Sequence, residues 1–473
     1  MSRTRIVGGK LTEIIGGDHI IYSAGDIVTN SSSTISETAA EGTFYGKPEI
    51  YEAVDTKVGV KVTAILFFDG TKNNRNNTFR RLDKDDTKST TREDSKAIYT
   101  KTKEKESSYE NGYSNIAALS FMTIKDDKNK IAVQYIEGEG TEDNQKGDTM
   151  GFAFGSGKTG IPAKVKKGYA NITAQIDSYY KTKTEYVKEL TITVFGFSRG
   201  AAAARSFLTT TQADFKKKYP KARIIYNFVG LFDTVSSYEK EGELGKVGSA
   251  IDHDFENDVE ELGLRLDGIA KKVIHLTATN EYRENFALTS IDSAIKAGVG
   301  FELELPGAHS DIGGGYEEYE HTEIRNLAKS DRDDDLLLKE GWYTPEQLKH
   351  RGTIRCVGTR RLKNSYQFIP LAIMMHFAQK NGMTFQSLNA NSKNKAFKVI
   401  PELENVKNKL LNLAIAKEGA VKIIAKLNNE TELKNLRNKY LHLSSNEESL
   451  GMGENQPSLL FTTVKRNIIQ DNA

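Results

Sequence analysis

This 473-residue chain predicts an α/β fold, a mostly parallel sheet with helices on both faces. Three observations lead there. Val62–Phe68 is a near-continuous apolar run, as expected of a strand covered on both sides. Leu190–Phe197 is apolar and rich in β-branched residues, and it runs through Gly196-Phe197-Ser198-Arg199-Gly200 directly into Ala201–Ala204. Apolar strands and stretches of helical spacing then alternate along the chain, the order that builds a parallel sheet.

Taken in order, residues 1–58 are rich in Gly, Ser, Thr and Ile, with Gly8-Gly9, Gly16-Gly17 and the alternating stretch His19–Tyr22. They predict a small β-rich extension, a hairpin edge or leader, with a docking or export segment as the alternative. A main domain is expected over 59–395. Within it, residues 75–112 are charged, have few apolar anchors and read as a long surface loop. Apolar runs return at Ile116–Phe121 and Ile131–Ile136, and Lys164–Tyr180 has helical spacing. After the strand at 190–196, further strands are expected at Arg223–Val229, Lys272–Thr277 and Gly300–Leu305. Residues 318–365 read as a charged insertion and Phe368–Lys380 as a buried helix. The region 396–473, with helical spacing among many lysines over 402–440, is expected to be a helical cap. A lysine-bearing helix lying on an anionic membrane is its less favoured reading.

Composition removes several function classes. The net charge is +2 and the pI about 8.2, with basic and acidic residues interspersed, so there is no nucleic-acid footprint. A single cysteine, Cys356, excludes an internal disulfide framework and a cysteine-based zinc site. The first ten residues lack the apolar segment of a secretory signal, which leads to the expectation of a chain made in the cytoplasm and exported, if at all, by other machinery. The longest apolar candidate, Phe368–Met375, is too short to span a bilayer. No His-Glu-x-x-His or EF-hand spacing occurs, so neither metal nor cofactor is expected. Gly155-Ser-Gly-Lys-Thr159 imitates a phosphate-binding loop, but Phe152 stands where that motif needs its first glycine.

The chemistry-bearing feature is Gly196-Phe-Ser198-Arg-Gly200. The five-residue pattern is weak alone; the strand before it and the small-residue helix after it make it a nucleophile elbow, and the fold is then of the α/β-hydrolase type. Gly196 and Gly200 let strand and helix approach closely on either side of Ser198. Such a serine needs an acid and a histidine, in that chain order, each after a strand. Of eight histidines, His309 fits best: it follows the strand at 300–305 in the glycine-flanked stretch Leu305-Pro-Gly-Ala-His-Ser-Asp-Ile-Gly-Gly-Gly-Tyr316. His442 is the runner-up. Asp233, in Phe228-Val-Gly-Leu-Phe-Asp-Thr-Val235, ends the strand after the elbow helix and is the first choice of acid, with Glu281 and Glu284 as competitors. Asp311 is expected to support the His309 loop. The oxyanion donors should be the N–H of Arg199 and one from the loop Asp69-Gly70-Thr71, with Gly70 or Thr71 donating and Asp69 bracing.

Four segments occur together: Phe67-Phe-Asp-Gly-Thr-Lys-Asn-Asn74, Gly196-Phe-Ser-Arg-Gly-Ala201 with Arg205, Gly230-Leu-Phe-Asp-Thr-Val235, and Gly307-Ala-His-Ser-Asp-Ile-Gly-Gly-Gly-Tyr316. In this order they resemble the Tle1-type phospholipase effectors of the bacterial type VI secretion system. The resemblance spans roughly residues 59–390. It implies Ser198 as nucleophile, Asp233 as acid and His309 as base, acting on fatty-acyl esters of membrane glycerophospholipids. It also implies delivery into a rival bacterium, an immunity protein in the producer, and a spike or tube component as carrier. One departure stands out: Asn280-Glu-Tyr-Arg283 replaces the Asp-Glu-Arg-Arg common in that family, which leaves the roles of Glu281 and Arg283 open. The residues alone leave two other functions in play. One is a carboxylesterase or thioesterase acting on soluble esters; the other is a spike-associated protein with a retired hydrolase fold.

Overall fold

The chain divides into two compact units, Met1–Lys57 and Val58–Ala473. The computed structural model describes residues 57–471 except 103–106, 149–156, 238–257, 284, 318, 327–330, 352–354, 420 and 445–465, together with residues 28, 32–34 and 36. The β-rich reading of 1–58, and Glu284 as a competing acid, lie outside the described residues.

The second unit is built on β1 (Val58–Phe68), β2 (Ile131–Ile136), β3 (Glu185–Phe197), β4 (Arg223–Phe232), β5 (Val273–Ala278), the short β6 (Leu288–Thr289) and β7 (Gly300–Leu305). Then come β8 (Tyr319–Asn326), β9 (Leu348–Arg351), β10 (Arg355–Leu362), β11 (Val421–Ile424) and β12 (Ile468–Ile469). Seven strands form one sheet in the order β11-β7-β5-β4-β3-β1-β2, and every neighbouring pair is parallel. The mostly parallel α/β architecture expected from the sequence is what the chain adopts.

The apolar runs are continuous because successive side chains enter two different cores. In β3, Leu190, Ile192 and Val194 face one cluster and Phe195 and Phe197 the other. The first cluster is closed by helices Ile161–Asp177 and Arg199–Thr210, the second by helices Asn115–Met122, Phe368–Lys380 and Glu404–Ala416. Phe67 of β1 stacks on Phe195 of β3 at 5.0 Å between ring centres, locking these two neighbouring strands side by side.

Two expectations are corrected. Residues 75–112 are not one long loop: helices Arg75–Asp83 and Arg92–Thr102 lie there. Asn74 caps the first by accepting from the N–H groups of Asn76 and Asn77, at 2.9 and 3.1 Å. Its buried face is polar. Asn77 donates to Ser108 Oγ at 2.9 Å and to the Glu142 carbonyl at 3.1 Å, so hydrophobic spacing gives no sign of it. The region after 396 is not purely helical either. Between helices Glu404–Ala416 and Glu430–Lys439, β11 joins the edge of the main sheet beside β7. Residues 318–365 hold a separate antiparallel sheet, β8-β10-β9, and the helix Asp331–Glu340.

Candidate active site

The elbow sits where β3 ends, one strand from β4. Ser198 has φ 57° and ψ −130°, a conformation that costs a non-glycine residue of order 1–3 kcal/mol. It is held by its N–H donating to the Phe232 carbonyl at 3.0 Å and by its own carbonyl accepting from Ala201 at 2.9 Å. The flanking glycines are sterically required. A Cβ on Gly196 would lie 2.4 Å from the Gly200 oxygen, and one on Gly200 would lie 2.1 Å from the Asp69 oxygen. Close packing of the elbow helix against the end of β1 thus sets Ser198 beside the Asp69–Thr71 loop.

Asp233 follows β4 with φ 43° and is fully buried. Its N–H donates to the Leu276 carbonyl at 2.8 Å, and its Oδ1 accepts from the Ala278 N–H at 2.9 Å. His309 opens the short helix His309–Gly313 after β7 and reaches back over β5, and its Nδ1 meets Asp233 Oδ2 at 2.5 Å. With Nδ1–H donating to the carboxylate, Nε2 is left as the basic nitrogen. Burial pushes the imidazole below its ordinary value, against the opposing pull of Asp233. Burial alone would raise the Asp233 carboxyl, but the charge of Arg466 and the bonds from His309 and Arg466 hold it well below the usual carboxylate range. Phe197 lies against the His309 ring at 4.7 Å, and Phe286 meets it edge-on at 5.0 Å. Ser198 Oγ and His309 are not hydrogen-bonded to each other in this structure, and such contacts often tighten only when substrate binds.

The competing acid, Glu281, occupies a different position. Its Oε2 accepts the backbone N–H of His309 at 3.2 Å, while Arg283 grips both of its oxygens at 2.9 Å. Arg283 outweighs the effect of burial and brings the Glu281 carboxyl down to about 2. Glu281 therefore braces the histidine loop from behind and leaves the ring to Asp233. Asn280 adds to this by accepting the Gly307 N–H at 2.9 Å. Asp311 supports the same loop through the Ala308 N–H at 2.9 Å, and it holds His442, the runner-up base, through Nδ1 at 2.6 Å. His442 is thus engaged away from Asp233.

On the oxyanion side the two proposed loop donors differ. The Gly70 N–H is committed to Asp69 Oδ1 at 2.8 Å, which removes Gly70 from that role. The Thr71 N–H makes no hydrogen bond among the described residues, and the Thr71 hydroxyl accepts from Arg199 Nε at 2.8 Å. This leaves Thr71 and the helix-opening N–H of Arg199 as the candidate pair. Asp69 also accepts from Tyr135 and Ser114, at 2.6 and 2.8 Å; burial nevertheless raises its carboxyl to about 6.

The sequence reading missed Arg466. Its Nη1 and Nη2 lie 2.6 and 2.9 Å from the two oxygens of Asp233. A lone arginine 233 positions away, in a stretch without motif or periodicity, gives no signal.

Residues 208–331 match the family model of the Tle1-like phospholipase effectors of the type VI secretion system, catalytic domain. The resemblance expected from the four motifs is borne out, and the match supports a phospholipase effector role. It contains Asp233, Glu281 and His309; Ser198 lies just before it. A solved structure of the Tle1 effector bound to the VgrG spike of that system has 22% identity and a TM-score of 0.53, covering 93% of this chain and 98% of that one. At that identity the likeness concerns the fold. An uncharacterized protein from Pseudomonas aeruginosa has 17% identity and a TM-score of 0.41, over 80% of this chain and 52% of that one. No curated protein matches the chain. Among the described residues, no helix is long and apolar enough to cross a membrane.

Proposed function

We propose that this chain is a serine-dependent phospholipase of the A type, cutting acyl esters of membrane glycerophospholipids as a toxin exported by the type VI system. The observation that carries the reading is the 2.5 Å contact between His309 and Asp233 beside a serine held at φ 57° on the neighbouring strand. Ser198 Oγ attacks the acyl carbonyl while His309 Nε2 takes its proton. Asp233 holds the tautomer and offsets the imidazolium charge. The N–H groups of Arg199 and Thr71 receive the oxyanion. His309 then returns the proton to the departing lysophospholipid oxygen, and water, activated by the same nitrogen, releases the fatty acid from the serine ester. The spike bound by the Tle1 effector is the natural carrier to propose here, with an immunity protein protecting the producer.

The test is mass spectrometry of phosphatidylethanolamine/phosphatidylglycerol vesicles incubated with the wild type and with Ser198→Ala. Lysophospholipid and free fatty acid from the wild type alone, with a loss of roughly three orders of magnitude or more in the variant, is the expected result. The chain retained on the lysophospholipid gives the regiochemistry. Equal release by both proteins refutes the serine mechanism, and cleavage of dispersed short esters but not vesicles points to a soluble-ester hydrolase.

A further inference from the structure

Asp233 is met by a charged fork, Arg466, from a part of the chain far from it in sequence. The stretch Arg466–Asp471 lies along β6 as a short parallel pairing, Ile468 with Leu288 and Ile469 with Thr289. Leu288 N–H donates to the Asn467 carbonyl at 2.8 Å, and Ser290 N–H to the Ile469 carbonyl at 2.9 Å. β6 is itself tied to the acid loop, because Thr289 N–H donates to the Thr234 carbonyl at 3.0 Å. At the far end of this strap, Asp471 is fully buried against Arg205 of the elbow helix at 2.7 Å. At the near end, Arg466 donates Nε to the Phe286 carbonyl at 2.7 Å and presents both terminal nitrogens to Asp233. One short strap therefore touches the helix behind the proposed nucleophile, the aromatic wall of the histidine and the acid.

We propose that Arg466 is a positioning residue for acyl transfer: its fork fixes the rotation of the Asp233 carboxylate, and through it the His309 ring. The proposal rests on the triad reading above. Without Arg466 the carboxylate keeps, among the described residues, one contact on each oxygen, the Ala278 N–H on Oδ1 and His309 Nδ1 on Oδ2, and neither imposes a planar two-point geometry. With Arg466, each oxygen has its own guanidinium partner in the planar, two-point geometry that arginine imposes. Charge acts in the same place. The charged groups around His309 are Asp233, Glu281, Arg283 and Arg466. Burial first lowers the proton affinity of the imidazole and Arg283 acts in the same direction, while the Arg466 cation offsets the carboxylate charge that favours imidazolium.

The experiment compares full-length wild type, Ser198→Ala, Arg466→Ala and Arg466→Lys on phosphatidylethanolamine/phosphatidylglycerol vesicles, with kcat, KM and the pH profile of kcat/KM. For Arg466→Ala we expect kcat to fall about tenfold or more with KM nearly unchanged, as for a misplaced catalytic group. The acid limb of kcat/KM should move about one pH unit upward, because a nearby cation has been removed. Guanidinium ion added at millimolar concentration should restore part of the loss, and Arg466→Lys, with charge but no fork, should fall between. If Arg466→Ala keeps the wild-type kcat, or loses activity only in step with its folded fraction while the acid limb stays in place, the role is overturned. Retained activity in Ser198→Ala would overturn the triad and the proposal with it. Loss in Ser198→Ala with no change in Arg466→Ala would overturn the role of Arg466 alone.

Discussion

The ion pair between Arg205 and Asp471 offers a quantitative test of how firmly the strap is docked. Both side chains are completely buried, with Nη2 and Oδ2 2.7 Å apart. Asp471 also accepts from the Ser293 N–H at 2.8 Å and from the Ser293 hydroxyl at 2.5 Å. Arg205 further donates Nε to the Leu264 carbonyl at 2.7 Å and Nη1 to the Thr289 carbonyl at 3.3 Å. Unit charges about 4 Å apart attract by about 4 kcal/mol at an effective dielectric of about 20. That agrees with the roughly 3–5 kcal/mol lost when one partner of a buried pair is removed. Asp471→Ala should therefore lower the unfolding free energy of the full-length protein by about 4 kcal/mol, read from the urea midpoint at unchanged slope. Arg205→Met should cost a similar amount. The double variant Arg205→Met/Asp471→Leu should recover part of it, because no uncompensated charge then remains buried although the Ser293, Leu264 and Thr289 groups lose a partner. A single-variant cost below about 1 kcal/mol, or a double variant no better than either single one, would refute the buried pairing and with it the docking of the strap.

Two further outcomes follow from the site. Gly200→Ala places a Cβ 2.1 Å from the Asp69 oxygen and 2.5 Å from that of Phe68, both backbone atoms, so the elbow helix must move away from the oxyanion loop. Reactivity of Ser198 toward a fluorophosphonate probe should fall at least tenfold in the folded protein, and labelling at the wild-type rate would contradict the assigned packing. The second outcome concerns pH. His309 must be neutral to act as base, and burial first, against the pull of Asp233, holds its proton affinity below the ordinary value. The neutral form is then retained to lower pH, so the acid limb of kcat/KM in the wild type should lie below about 6.5. A limb above that value would mean that a different group, or an exposed histidine, controls activity.

The parts of this architecture that could be read from sequence are those in which one stretch of chain determines its own environment. The β3–elbow–helix unit was legible because Leu190–Ala204 contains the strand, the strained turn and the small residues that let the helix lie close. Asp233 and His309 were legible because each follows an apolar strand, and their meeting needed only the rule that strand ends converge. Helix Arg75–Asp83 escaped because its buried face is Asn77, Thr78 and Asp83, whose partners lie elsewhere in the chain. Gly70 and Thr71 could not be separated as donors without knowing that Asp69 turns back onto its neighbour's N–H. Glu281 and Asp233 looked alike as carboxylates after strands. Arg283, two residues from Glu281, and Arg466, 233 positions from Asp233, give them different duties, and only the first of these contacts is local.

The strand order also bears on how the molecule comes to exist at all. β1, the earliest strand of the sheet in the chain, pairs with both β2 and β3 one place in from an edge, while β11 and β2 form the edges. No two sheet neighbours can be joined by a hairpin, since every pairing is parallel and each connection must cross over. The sheet therefore has to start from long-range contacts and grow outward in both directions, a topology associated with slow folding and exposed intermediate edges. The stretch matching the family model, residues 208–331, contains β4, β5, β6, β7 and β8 but neither β1 nor β3, so it includes the acid and the base without the strand that presents Ser198. The segment most readily assigned by similarity thus holds only part of the central sheet, and β1 and β3, paired with each other over most of their length, lie outside it.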